Sequence, residues 1–158
     1  MTTQVTTHTQ ARGRGVEAFV SFLRAHSAIT RQLDRELVQE HGLTINDYEV
    51  LLHLSRAEGG RLRRVDLAGR VLLTPSGITR LLDGLERAGL VCKAACASDA
   101  RVVYAELTDE GSRRLEAASQ SHLASVRKLF GGRFSEDELE TLASLLARLP
   151  QSPALPCE

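Results

Sequence analysis

A helix marked at both ends, followed at once by a change of period, limits this chain more than any other feature. Thr74 stands where a side-chain oxygen caps a helix, and Pro75 takes the first helical position, where a missing N–H costs nothing. Ile78, Leu81, Leu82 and Leu85 then recur at i, i+3, i+4 and i+7, which predicts one apolar stripe against a core. Gly89 closes the segment. From Leu90 the period falls to two: Leu90 and Cys92 alternate with Val91 and Lys93, and Val103, Ala105 and Leu107 with Val102, Tyr104 and Glu106. Ala97-Ser98-Asp99-Ala100 fits a hairpin tip between them. Two strands so joined cannot stand alone and must pack on helices.

The flanks read as helices. Val16, Phe19, Val20, Leu23, Leu33 and Leu37 predict a first helix from about Val16 to Gln39, with Phe22 and Ile29 widening its stripe beyond one core face. Gly42 ends it. Thr44 with Asp47 resembles a capping box that opens a second helix, burying Tyr48, Leu51, Leu52 and Leu54. After a turn at Glu58-Gly59-Gly60, residues Leu62, Val65, Leu67, Ala68 and Val71 predict a short third helix. Thr108-Asp109-Glu110 caps a fifth helix that runs to about Phe130, and Gly131-Gly132 breaks it. Ser135-x-x-Glu138 opens a sixth, with Leu139, Leu142, Leu145, Leu146 and Leu149 along one side.

The expected fold is therefore mainly α with a small β-hairpin wing: a winged helix-turn-helix between N- and C-terminal helices. The expected division is a disordered polar tail at 1–15, a helix at 16–44, the winged unit at 45–107, closing helices at 108–149 and a proline-containing tail at 150–158. The first helix carries more apolar surface than one small core covers, so two copies are expected to associate through it and the Leu-rich closing helix.

Charge locates the working face. The 158 residues sum to zero, yet residues 1–60, 61–101 and 102–158 carry −1, +4 and −3. The positive segment coincides with the capped helix and hairpin, where a basic face can hold phosphates whatever the global sum. A helix about 10–12 Å across fits a major groove about 12 Å wide, with contacts concentrated at its N-terminal end. That end carries Ser76, Gly77, Thr79 and Arg80. Arg101, beside the hairpin tip, can enter the narrow, negative minor groove. Arg63, Arg64 and Lys93 belong to the same basic stretch and complete the expected DNA-facing set with Asp99. An aromatic content of 4% without Trp offers no stacking platform for single strands.

Residues 73–111 show a Thr-Pro-Ser helix start, the helix exit Leu85-Glu86-Arg87-Ala88-Gly89-Leu90-Val91, a wing with Asp99-Ala100-Arg101, and the exit Leu107-Thr108-Asp109-Glu110-Gly111. This combination resembles the MarR family of bacterial transcriptional regulators over about residues 16–149. The resemblance implies a two-fold homodimer built by the first and last two helices, seated on a palindromic operator, most often as a repressor. Carried over by position, it implies that Ser76, Thr79 and Arg80 read bases or phosphates and that Asp99 and Arg101 form the wing tip. It also implies release by a small aromatic or phenolic effector in a groove that Phe19, His26, Tyr48 and His53 would line. Ala100 stands where the family usually has Arg, and Lys93 where Arg is commoner.

Other chemistries are poorly supplied. Cys92 and Cys96 would lie about 13 Å apart along a strand, too far for a disulfide. Cys92 is expected to be a small core residue, Cys96 a wing residue and Cys157 part of the tail; a thiol-based redox regulator of the same fold is the alternative. The five histidines (His8, His26, His41, His53 and His122) show no metal-ligand spacing, and no cofactor is implied. No Gly-x-Ser-x-Gly, phosphate loop or His-Glu-x-x-His supports an enzyme. A winged helix that binds only proteins is a further alternative, opposed by the basic residues on the helix and wing. The apolar stretches are too short to span a membrane, and the Thr-rich N-terminus is no secretory signal, so the cytoplasm is expected.

Overall fold

Caps and glycines set the element boundaries of the computed structural model, which describes residues 4–71, 73–95 and 102–150. The order is α1 (Gln4–His41), α2 (Ile45–Ser55), a 3₁₀ turn (Glu58–Gly60), β1 (Arg61–Arg63), α3 (Arg64–Arg70), α4 (Pro75–Arg87), β2 (Val91–Ala95), β3 (Val103–Leu107), α5 (Asp109–Gly131) and α6 (Glu136–Leu146). Helix α1 stops where Gly42 takes φ 67°, a left-handed conformation that glycine adopts without penalty. The orphan carbonyl of His41 accepts from Arg114 on α5 at 2.7 Å. At the start of α2, Thr44 and Asp47 form the expected capping box. Asp34 of α1 adds a bond to the Ile45 N–H at 2.8 Å, so two helices share the work of one cap.

The core gathers Leu37 from α1, Val50, Leu51 and Leu54 from α2, Leu67 from α3, and Ile78, Leu82 and Leu85 from α4. Val91 and Ala105 join from the sheet, and Leu115 and Ala118 from α5. Gly111 permits the tightest approach: a Cβ there would overlap the Leu90 carbonyl and stand 2.8 Å from Leu107 Cδ1. Thr108 holds this corner with its hydroxyl, donating to the Gly89 carbonyl at 2.7 Å and accepting from the Gly111 N–H at 3.0 Å.

Four expectations are corrected. The sheet has three antiparallel strands in the order β1-β3-β2, not a hairpin alone. Leu62, assigned above to the third helix, lies in β1 opposite Ala105. Three residues flanked by charge carry no readable period; pairing with β3 makes them a strand. The tail expected at 1–15 is helical from Gln4. Gly13 and Gly15 cost that helix about 1 kcal/mol each without forbidding it. Cys92 is exposed rather than in the core, because Val91 takes the inward position at 2% exposure and the pleat turns its neighbour outward.

A large apolar surface remains uncovered. Val16, Phe19, Phe22 and Leu23 on α1 are between 42% and 63% exposed, as are Leu123 on α5 and Leu145 on α6 at 46% and 52%. Helix α6 buries no residue against its own chain. No helix among the described residues is long and apolar enough to cross a membrane.

Candidate nucleic-acid interface

Helix α4 turns Ile78, Leu82 and Leu85 inward, and its opposite face is set by the 3.6-residue period. Thr74 accepts from the Gly77 N–H at 3.1 Å, so the first turn is pinned and the Gly77 N–H is occupied. A Cβ on Gly77 would stand 3.1 Å from Thr74 Oγ1, so this glycine serves the cap. Ser76 lies 3.2 Å from the same hydroxyl. Thr79 donates to the Pro75 carbonyl at 2.8 Å, which leaves its hydroxyl oxygen able to accept. Arg80 is exposed, and among the described residues it has no ion-pair partner. Of the residues expected to face DNA, Ser76, Thr79 and Arg80 thus share one accessible end of α4.

Two other expected contacts are already engaged. Lys93, on β2, pairs with Asp83 and, at 2.8 Å, with Glu86, both on the polar face of α4. The Lys93 ammonium is stabilised by Asp83 first and Glu86 second, which raises its pKa above the ordinary lysine value. Asp83 is lowered in turn, chiefly by its bond to Lys93, with smaller contributions from Arg87 and Arg64. Arg63 holds Asp66 bidentately at 2.8 and 3.1 Å, closing the first turn of α3. Arg64 opens α3 with no ion pair among the described residues. Asp99 and Arg101 lie outside the described residues.

The sequence alone assigns Asp83 and Glu86 no partner. Their spacing of three puts both on one helix face, which is the signal that could have marked them; that Lys93 lies across from it depends on packing of β2 on α4.

The four residues expected at an effector groove divide into two pairs. Tyr48 and His53 are 6% and 5% exposed, with the Tyr48 ring 4.8 Å from His122 and its hydroxyl 3.2 Å from Ser119. Phe19 and His26 lie on the exposed stretch of α1, where His26 meets Phe22 at 6.2 Å. Among the described residues, the chain's principal grooves are lined by none of the four. Cys92 Sγ stands 3.9 Å from the Glu106 carbonyl oxygen.

Known proteins resemble this chain in sequence and fold. A MarR family profile matches residues 41–102. The HTH-type transcriptional regulator YkoM of Bacillus subtilis (strain 168) is 30% identical over 135 residues, 85% of each chain. The HTH-type transcriptional repressor YetL of the same organism is 33% identical over 117 residues, 71% of this chain and 70% of that one. Among solved structures, AbsC, a MarR family transcriptional regulator from Streptomyces coelicolor, aligns with a TM-score of 0.74 at 36% identity, covering 82% of this chain and 86% of AbsC. Another MarR family regulator from Streptomyces coelicolor, solved in complex with DNA, aligns with a TM-score of 0.78 at 27% identity, covering 85% and 84%. With relatives this similar along most of its length, and with the helices and wing in the same order, the chain belongs to the MarR family of winged helix-turn-helix transcriptional regulators.

Proposed function

We propose that two copies of this chain form a homodimer that binds a palindromic operator in duplex DNA and represses transcription until a small molecule releases it. The observation that carries the reading is the accessible N-terminal end of α4, where Ser76, Thr79 and Arg80 are presented by a helix whose other face is locked in the core. Small polar groups allow close approach, and a guanidinium is long enough to reach a guanine edge. Arg64 and the wing's Arg101 supply backbone or minor-groove contacts. Repression is supported by likeness to YetL, and DNA binding by likeness to the Streptomyces coelicolor regulator solved on DNA.

Dimerisation is supported by the exposed apolar faces of α1 and α6, which a second copy would cover. Two-fold symmetry would then repeat the recognition helix about one helical turn of DNA away. A small aromatic or phenolic effector touching Phe19, His26, Tyr48 and His53 together would need the second chain of that dimer, because within one chain the first two are exposed on α1 and the last two are buried.

Selection of bound sequences from random duplex DNA tests the reading directly. Enrichment of an inverted repeat supports it, and enrichment of nothing, or of single half-sites, defeats it. Light scattering is expected to give twice the 17.3 kDa of the chain; a folded monomer at micromolar concentration would remove the dimer. Release is tested by fluorescence anisotropy on the selected operator against a panel of simple phenols and benzoates.

A further inference from the structure

The edge of the sheet away from α4 forms one wall of a separate groove of about 810 Å³, within the range of small-molecule sites. Three arginines from three elements line it: Arg56 at the C-cap of α2, Arg61 at the start of β1 and Arg70 at the end of α3. Arg61 is engaged, 3.7 Å from Glu106 and stacked 5.3 Å over the Tyr104 ring. Arg56 and Arg70 have no ion pair among the described residues, although Glu58 lines the same groove.

Both arginines are exposed, and both act on one buried ring. His53 stands one turn before Arg56 on α2, is 5% exposed, and has a buried Nδ1 without a hydrogen-bond partner. Burial holds this ring below its ordinary basicity, and the charges of Arg70 and Arg56 push it further down. Both guanidiniums line the same groove and both act on this one buried ring. Two like charges on the wall of one groove repel each other, and an anion held between them turns that repulsion into attraction.

We propose that this groove is an anion site that takes the carboxylate or phosphate of a small molecule between Arg56 and Arg70, with the rest of the ligand against Leu62 and Tyr104. Planar guanidinium forks match either oxyanion bidentately. Duplex DNA offers the same chemistry, but the register argues for the small molecule. Arg61 stands opposite Glu106, at the end of β3 that leads into α5, so the groove lies at the base of the wing and on the flank away from α4. The site depends neither on the operator nor on the effector groove proposed above.

Nuclear magnetic resonance of the full chain, titrated with inorganic phosphate and with citrate against chloride at constant ionic strength, tests the proposal. Saturable shifts are expected at the Arg56 and Arg70 Nε–H groups and the His53 ring, and the His53 titration should move up as the anion cancels the cationic field. Arg56→Gln with Arg70→Gln should weaken the oxyanion roughly tenfold or more. Each single variant should weaken it less, and circular dichroism should report an unchanged fold. A parallel salt series on random duplex DNA separates the two phosphate sources. An unchanged slope in the double variant supports the small-molecule site. A slope reduced by about one for each lost arginine would give the groove to DNA, and shifts that chloride reproduces would mean no specific site.

Discussion

The ammonium of Lys93 lies 2.8 Å from the Glu86 carboxylate, so the first strand of the wing is tied to the outer face of the recognition helix. Asp83 completes a two-acid clamp one turn earlier on α4. A lysine held this way is expected to fix the angle between wing and helix rather than to face a phosphate. Lys93→Met is therefore expected to lower operator affinity while leaving the salt slope of binding unchanged. A slope reduced by about one would show that Lys93 meets the DNA backbone after all. Asp83→Asn with Glu86→Gln should free the ammonium and raise non-specific affinity, most at low salt.

Arg80 is the long donor at the accessible end of α4. If it reads a base edge, Arg80→Ala should cost about 1–3 kcal/mol on the selected operator and much less on random duplex. Anisotropy on both DNAs decides it. Equal losses would reassign Arg80 to a phosphate.

Gly111 allows the start of α5 to pass under Leu90, where any side chain would collide with backbone. Gly111→Ala is expected to destabilise the fold by about 1–3 kcal/mol, the usual range for overpacking. Gly84, inside α4 with open space around it, provides the opposite case. Gly84→Ala should stabilise by about 0.5–1 kcal/mol, because alanine has less freedom to lose in the unfolded chain. Urea denaturation of both variants checks the contrast; similar effects at the two sites would overturn the packing argument.

His53 and His122 are each held below the ordinary imidazole value of 6.5 by burial; Arg70 and Arg56 push His53 further, while Glu36 partly opposes the shift at His122. The unfolded chain takes up protons that these folded rings refuse, so their contribution is complete above pH 6.5 and is lost as pH falls through their lowered values. Glu36 acts in a separate window: bonds from Ser125 and then Gln32 hold it below 4.5, so its contribution survives until pH falls below that value. Thermal midpoints should therefore drop on acidification from about pH 7.5 to about pH 5. In His53→Gln with His122→Gln that slope should flatten. An unchanged slope in the double variant would place the linkage elsewhere.

Much of this architecture follows from local signals. Thr44 with Asp47, Thr74 with Pro75, Thr108, and Ser135 with Glu138 each cap the helix that the sequence predicts, because a cap is a bond between residues two or three positions apart. The stripe Ile78, Leu82, Leu85 is buried for the same reason: helical period alone decides which side faces the core. The end of α4 that presents Ser76, Thr79 and Arg80 was therefore readable in the chain before any packing was known.

What the sequence left open depends on contacts between distant residues. Strand β1 exists because Arg61, Leu62 and Arg63 meet Glu106, Ala105 and Tyr104 across more than forty positions, and three residues are too few to announce a period. Val91 rather than Cys92 faces inward because register on β3 and packing on α4 choose the face, and period two is satisfied by either assignment. Lys93 became a clamp, and not a free cation, because folding carried it to two acids on another element. Local sequence determines helices, caps and apolar faces through short-range geometry. Strand register, the partners of surface charges and the groove that joins Arg56 to Arg70 arise only when tertiary packing brings separate segments together.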